Sequence, residues 1–341
     1  MEQVALRVGM AGYGLAGRFF HAPLLAGNGL ELVTVLTTNF ERIEQVKSDF
    51  PKAKIVTSMS ELLAEDLDLV IIASVNSVHV EQAIAALRAG VATVVDKPMG
   101  RNLTETLQIL KVSDETGVPV TTFFNRLFDS DSLTIKRVIR DNEIGKVFRI
   151  DSRFERYRPD LAAQSWREQS SAAEGGGLLL DLQSHLISTA LDWFGPAELI
   201  SASVRSIRGA SDDDVVLVLK HESGVDSYLS ASAIAGAPGP RIRMLGDKGA
   251  LVIGELDPQE ALLRAGKSPI NGRWDIPTKS EARIIRGEVV NEVEVEDGNY
   301  AEFYALVAGA ISGKNSWPVS KEEIIAVATI IDRARELNFH E

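Results

Sequence analysis

Val8-Gly9-Met10-Ala11-Gly12-Tyr13-Gly14-Leu15-Ala16-Gly17 follows a short strand-like run, Ala5-Val8, and opens a helical pattern near Leu15-Ala26. Gly12, Gly14 and Gly17 thus stand in the Gly-x-Gly-x-x-Gly spacing of a dinucleotide-binding turn, in the strand-then-helix context that the spacing requires. The first glycine allows the tight turn and the second lets a pyrophosphate reach backbone N–H groups at the helix start. The third lets helix and strand pack closely. The turn as a whole, with Tyr13 and Leu15 between its glycines, is the expected phosphate cradle.

Outward from this turn, β-branched runs alternate with helical patterns up to about residue 123. Leu32-Leu36, Leu69-Ala73, Thr93-Val95 and Val118-Phe123 read as strands, and Phe40-Asp49, His79-Ala89 and Thr104-Thr116 as helices. Such alternation makes a doubly wound parallel α/β sheet covered on both faces, here over residues 1–123. Beyond it the pattern changes. A helix after Asp131 and another after Leu178 precede strand-like runs at Leu199-Ile207, Val215-Lys220, Ser227-Ile234, Ile242-Leu245 and Ala250-Ile253. Residues 124–341 therefore read as a second, α+β domain on a mainly antiparallel sheet, closed by helices at Tyr300-Ile311 and Glu322-Leu337.

The tip of the second strand should meet the adenosine ribose, and it reads Leu36-Thr37-Thr38-Asn39-Phe40-Glu41-Arg42. An acid there would bind the ribose hydroxyls of NAD and repel a 2'-phosphate. None is present, and Thr38, Asn39 and Arg42 suit the phosphate, so NADP is favoured over NAD. The strand at Leu69-Ala73 runs into Ser74-Val75-Asn76-Ser77-Val78-His79 at the carboxyl edge, where open parallel sheets bind ligands. Ser74 and Asn76 are candidates for the nicotinamide side; His79 either contacts the ligand or simply starts its helix. The next strand ends Asp96-Lys97-Pro98. A lysine leaving a buried strand at this edge is placed to hydrogen-bond a substrate oxygen and stabilise charge as hydride moves.

The second domain holds its own constellation, Gly175-Gly176-Gly177-Leu178-Leu179-Leu180-Asp181-Leu182-Gln183-Ser184-His185. Apolar residues at helical spacing until Gly195-Pro196 predict one helix from about Leu178 to Phe194. Asp181 and His185, four apart, would share a face, the acid holding a proton on the ring or fixing its tautomer. The pair is suited to exchanging a proton with a hydroxyl, and the glycines let another molecule approach the helix start. Ser188 and Asp192 continue the face, so a solvated polar stripe is the competing reading.

Composition narrows the chemistry. The 341 residues are 45% hydrophobic, enough for two cores, and the formal net charge of -12 argues against nucleic acid or an anionic membrane as partner. A small, mostly neutral substrate fits better. With no cysteine in the chain, disulfides, thiolate catalysis and cysteine-ligated metal sites are excluded, as suits a cytoplasmic enzyme. No segment reads as a signal peptide or a membrane span.

Asp96-Lys97-Pro98 downstream of Gly12-Tyr13-Gly14, followed by the glycine triplet, Asp181 and His185, resembles the Gfo/Idh/MocA family of NAD(P)-dependent oxidoreductases over essentially the whole chain. Phe19-His21-Ala22-Pro23-Leu24, Asn125-Arg126, Asp129-Ser130-Asp131, Arg156-Tyr157-Arg158-Pro159 and Trp166-Arg167-Glu168 look closest to its NADP-preferring scyllo-inositol dehydrogenase branch. The resemblance implies an N-terminal Rossmann domain and a C-terminal domain whose large open-faced sheet makes an oligomer contact. It also implies that Lys97, Asp181 and His185 are the catalytic set, with His185 the proton donor or acceptor and Asp181 orienting the substrate or the ring. Three departures stand out: Asp96 for the commoner Glu, Ser74-Val75-Asn76 for Thr-Pro-Asn, and Leu180 and Gln183 where Tyr and Gly are usual. The last pair is expected to reshape the pocket.

The expected function is hydride transfer between the nicotinamide of NADP or NAD and a secondary alcohol or ketone of a cyclitol or sugar, with no metal required. Asn125, Tyr157 and Arg158 are the candidate polyol contacts beside the catalytic set; Trp166 is a candidate for stacking on a sugar ring. Another sugar or an anhydro-sugar is the alternative substrate, and a non-catalytic cofactor- or sugar-sensing regulator the alternative role. The antiparallel sheet of the second domain is expected to leave a face for self-association, as a homodimer or homotetramer.

Overall fold

The structure, a computed structural model, describes residues 5–161, 168, 170–171, 174–209 and 211–338. Strands β1 (Leu6–Ala11), β2 (Leu30–Leu36), β3 (Lys54–Val56), β4 (Leu69–Ile72), β5 (Ala92–Asp96) and β6 (Val120–Phe123) form one parallel sheet in the order β3-β2-β1-β4-β5-β6. All four residues of β4 and the last four of β1 are buried, because helices cover both faces of such a sheet. The first helix begins as a π-helical turn, Ala16–His21, and continues as α1 (Ala22–Leu25). The others on this sheet are α2 (Phe40–Asp49), α3 (Met59–Leu63), α4 (His79–Arg88) and α5 (Leu103–Thr116). Asn39, Ser58 and Asn102 cap α2, α3 and α5 by accepting backbone N–H groups on their side-chain oxygens, and Gly117 ends α5 at φ 69°.

The second domain is an eight-stranded sheet in the order β14-β13-β12-β11-β7-β10-β9-β8. Its strands are β7 (Val147–Glu155), β8 (Ala197–Arg205), β9 (Asp214–His221), β10 (Asp226–Ser232), β11 (Ile242–Gly246), β12 (Gly249–Ile253), β13 (Ala282–Arg286) and β14 (Val289–Val293). Every pairing is antiparallel except β10 with β7. One face buries Ile150, Phe154, Leu217, Leu229, Met244 and Leu251 against helices, while Arg149, Val218, Tyr228 and Arg243 alternate onto the other face.

The remaining helices are α6 (Ser130–Arg140), α7 (Leu178–Asp181), α8 (Gln183–Phe194), α9 (Gln259–Arg264), α10 (Ala301–Ile311) and α11 (Lys321–Asn338). Helix α11 fastens the two domains. Its Asp332 accepts the backbone N–H of Leu103 at 2.9 Å, Arg335 donates to Arg101 O at 2.8 Å, and Asn338 accepts from Val204 N at 3.0 Å. Apolar residues of both domains accordingly share one core, in which Phe123 of β6 stacks edge-on against Phe303 of α10. No helix among the described residues is long and apolar enough to cross a membrane.

The principal correction concerns residues 178–194. They form two helices, not one, interrupted at Leu182, where the backbone stands at φ -106°, ψ -35°. The break lets Gln183 turn into the core: it is fully buried and its side-chain amide donates to Val215 O and Leu229 O at 3.0 and 3.1 Å. Gln183 therefore bonds helix to sheet instead of reshaping the pocket. Leu180, 1% exposed, lines a small cavity with Pro98, Phe124 and Ile324.

Candidate active site

Gly12 leaves β1 at φ +97°, and a Cβ on it would lie 2.6 Å from Ala73 O; one on Gly17 would lie 2.2 Å from Gly12 O. Only glycine permits this turn. It sits at the switch point where β1 is flanked by β2 and β4, whose carboxyl ends open a crevice. A Cβ on Gly14 would meet nothing nearer than Arg42 Nη2 at 3.4 Å, so the Arg42 guanidinium lies against the turn. Thr37 is buried, Thr38 and Asn39 are exposed, and the Asn39 Oδ1 accepts the Arg42 N–H at 3.1 Å. Tyr13 is buried with its hydroxyl donating to Asp49 at 3.0 Å, which leaves its backbone to serve a ligand, while Leu15 is partly exposed. The glycine-lined turn, the helix start and Arg42, which has no ion pair among the described residues, fit a dinucleotide carrying an extra phosphate.

The next strand end is a brace. Ser74 Oγ donates to Gln82 at 2.6 Å, and Asn76 Nδ2 donates to Gly175 O in the second domain at 3.1 Å. His79 is wholly buried with Nδ1 3.0 Å from Pro98 O and Nε2 3.2 Å from Ser74 O. A neutral imidazole carries one N–H, so the ring donates to one of these two carbonyls at a time while lying between both ligand-side loops. Burial lowers its pKa, against the opposing pull of Asp96. Asp96 is itself buried; burial acts to raise its pKa, but His21, with Nε2 at 3.5 Å, together with Lys97 and His79 holds it below the usual carboxylate value.

Lys97 leaves β5 across a cis Lys97-Pro98 peptide and reaches into the second domain. Its ammonium donates to Asp181 Oδ1 and to Asp181 O, both at 2.7 Å. An ammonium has three donors, so one remains for a substrate oxygen. The glycine triplet serves this junction in two ways. Gly175 at φ +96° lies against Asn76, and Gly177 at φ +91° leaves room for Asp212, whose carboxylate would stand 2.0 Å from a Cβ there. Asp212 in turn accepts the Leu179 N–H at 2.7 Å, which fixes the start of α7.

His185 is 6% exposed, and its Nδ1 is buried without a hydrogen-bond partner among the described residues. No hydrogen bond joins it to Asp181, whose carboxylate is turned to Lys97; the expected acid–imidazole pair is replaced by an acid–ammonium pair beside a neutral ring. Burial pushes the His185 pKa well below its ordinary value, and Lys97, Arg126 and Arg241 push the same way, with only Asp181 opposing. Phe154 meets the ring edge-on at 6.4 Å and is itself covered by the Arg126 and Arg241 guanidinium groups at 5.4 and 4.1 Å. A neutral imidazole in this setting is a proton acceptor at neutral pH. Ser188 is buried and donates to His185 O at 3.0 Å, while Asp192 is partly exposed and paired with Lys136 at 2.6 Å, so the polar stripe is packed beside His185 and reaches solvent only at its far end.

Asn125 follows β6 at the same carboxyl edge, 7% exposed, and among the described residues no hydrogen bond engages its carboxamide. Arg126 beside it is locked inward, donating to Tyr300 Oη at 2.8 Å and ion-paired to Asp129 and Glu260. Tyr157 is 63% exposed on the opposite parity of the β7 extension from Phe154, and Arg158 is also exposed. Residue alternation thus assigns Arg156, not Tyr157, to the face of Phe154 and His185. That signal lay in the sequence, since Phe154 and Arg156 are two apart. Trp166 lies outside the described residues.

Known proteins agree with this architecture. Residues 6–124 match the oxidoreductase family with an NAD-binding Rossmann fold, and residues 132–252 match the GFO/IDH/MocA C-terminal domain. The chain belongs to the Gfo/Idh/MocA family of oxidoreductases. It is 32% identical over 338 residues to the scyllo-inositol 2-dehydrogenase (NADP(+)) IolW of Bacillus subtilis, covering 97% of this chain and 93% of that protein. It is 27% identical to 1,5-anhydro-D-fructose reductase of Ensifer adhaerens over 64% of this chain and 67% of the relative. The solved structure of YPO2259 from Yersinia pestis superposes with a TM-score of 0.89 at 32% identity, covering 98% of this chain and 95% of the other.

Proposed function

We propose that this protein is an NADP-preferring dehydrogenase, or in reverse a reductase, acting on a secondary alcohol of a cyclitol or sugar, with scyllo-inositol the first candidate. The observation that carries the reading is the Lys97 ammonium held on Asp181 beside a buried, neutral His185 at the carboxyl edge of the parallel sheet. A bound nicotinamide dinucleotide supplies the hydride acceptor for oxidation and the donor for reduction. Gly12, Gly14 and Gly17 hold its pyrophosphate, and Thr38, Asn39 and Arg42 its ribose phosphate. Lys97 gives its remaining N–H to the reacting oxygen and stabilises the charge that grows there. His185 accepts the hydroxyl proton during oxidation and returns it during reduction. Asp181 orients Lys97.

The substrate class draws on the inositol dehydrogenase and anhydro-fructose reductase relatives. Self-association through the uncovered sheet face, where Tyr228 and Ile200 are 37% and 54% exposed, completes the reading as a homo-oligomer, and the lack of cysteine is compatible with the cytoplasm. A panel of inositols and aldoses offered with NADP or NAD, followed by the absorbance of reduced nicotinamide, tests the function. Turnover of a cyclitol with NADP supports it. Cofactor binding with no turnover of any polyol or ketone contradicts it.

A further inference from the structure

Arg156 is the charged group in the cleft region that the mechanism leaves unused. It continues β7 on the face of Ser152 and Phe154, and its backbone remains paired to the sheet through Arg156 N–H to Ser232 O and Ala235 N–H to Arg156 O, both at 3.0 Å. Its side chain is therefore carried toward the helices that bear Asp181 and His185, and Phe154, two residues earlier, already touches the His185 ring. Most of the buried charges around it are matched, and the neighbouring Arg158 is exposed to solvent. Lys97 is paired with Asp181, Arg126 with Asp129 and Glu260, Arg264 with Glu260, and Arg208 with Asp213 and Glu168. Among the described residues no hydrogen bond or ion pair reaches the Arg156 guanidinium, and its Nε is buried without a partner.

The side chain is only partly exposed, and its Nε, buried without a partner among the described residues, carries a desolvation cost that a bound acceptor would offset. Burial and the nearby Arg158 lower its pKa, while Asp181, Glu260 and Glu168 pull the other way from a distance. The fork of a guanidinium matches two neighbouring oxygen atoms. The geometry points to Arg156 as a specificity-determining residue that clamps two adjacent oxygens of the substrate, on the part of the ring away from the carbon that Lys97 and His185 address. This rests on the dehydrogenase reading above and deepens it. The two oxygens are either vicinal hydroxyls of a neutral polyol or the two oxygens of a carboxylate, and the two sources separate experimentally.

The test compares wild type with Arg156→Ala, Arg156→Gln and Arg156→Lys on scyllo-inositol, D-glucose and D-glucuronate with NADP, with NADP affinity measured separately by fluorescence quenching. Loss of the clamp is expected to raise KM for the best substrate roughly 10- to 100-fold, the size of lost charge-assisted hydrogen bonds. NADP affinity should stay within about twofold, kcat should move less than KM, and lysine should restore part of the loss. A wild-type preference for glucuronate over glucose that vanishes in Arg156→Gln assigns a carboxylate; a KM effect on scyllo-inositol assigns vicinal hydroxyls. KM within twofold of wild type in both Ala and Gln variants overturns the clamp and leaves the dehydrogenase reading intact. If wild type turns over nothing, calorimetric binding of the same three compounds to the NADP-saturated protein decides. Binding that Arg156→Ala abolishes supports the clamp while the reaction fails; binding that persists, or no binding to wild type, overturns it.

Discussion

Lys97, at the end of a Rossmann strand, and Asp181, at the end of the short helix α7 in the second domain, are joined by two hydrogen bonds of 2.7 Å from one ammonium. The pair bridges the domain boundary, and in the proposed mechanism Asp181 serves to hold the lysine in place. Asp181→Asn keeps the main-chain acceptor but weakens the hold on the ammonium. We expect kcat to fall about 10- to 100-fold with NADP affinity within about twofold, the size of effect that misplacing a proton-transfer group has. Steady-state rates together with a cofactor titration check this; unchanged kcat would remove Asp181 from the machinery.

The pH dependence follows from His185. Burial is the largest cause holding its pKa well below 6.5, reinforced by Lys97, Arg126 and Arg241. The ring is therefore neutral and able to accept a proton throughout the neutral range. In the oxidation direction, kcat/KM should be flat around neutrality and decline only on the acid side, below the ordinary histidine value. An inflection at or above 6.5 that disappears in His185→Asn would show a protonated resting ring and contradict this.

Cofactor preference should hinge on Arg42, whose guanidinium lies against Gly14 with no acid at the tip of β2. Arg42→Ala is expected to raise KM for NADP roughly 10- to 100-fold, as the loss of a charge-assisted phosphate contact does, and to leave KM for NAD within about threefold. Equal effects on both cofactors would place Arg42 on the shared pyrophosphate.

Asp257 offers a test of stability away from the chemistry. Burial raises its pKa from 3.8 to about 6, against hydrogen bonds from Ser130 N and Gln259 N. The folded chain thus binds this proton more tightly than the unfolded chain does. Stability should fall as pH rises from about 4 to about 6, by at most about 3 kcal/mol from this group. Asp257→Asn should flatten the difference between denaturation measured at the two ends of that window; an unchanged difference would show that Asp257 titrates normally.

Much of this was legible in the residues. The glycines at 12, 14 and 17 announce the turn because no side chain fits there, and Lys97 announces itself as a charge leaving a buried strand. Less legible were β3, β13 and β14, which are short or largely exposed and so lack a buried periodicity to read. The break at Leu182 was also hidden, since its apolar spacing is compatible with a continuous helix. Its cause is tertiary: Gln183 finds two strand carbonyls in the sheet below. Asp181 looked like a partner of His185 on spacing alone, because the competing partner, Lys97, lies 84 residues away in sequence.

The most direct test of the account is the appearance of reduced nicotinamide when the purified protein meets NADP and scyllo-inositol, run side by side for wild type, Lys97→Ala and His185→Ala. Wild type should turn over, and each variant should lose about 100-fold or more of the rate with NADP still bound. Rates near wild type in both variants, at equal cofactor occupancy, would contradict the proton-transfer centre on which the account rests.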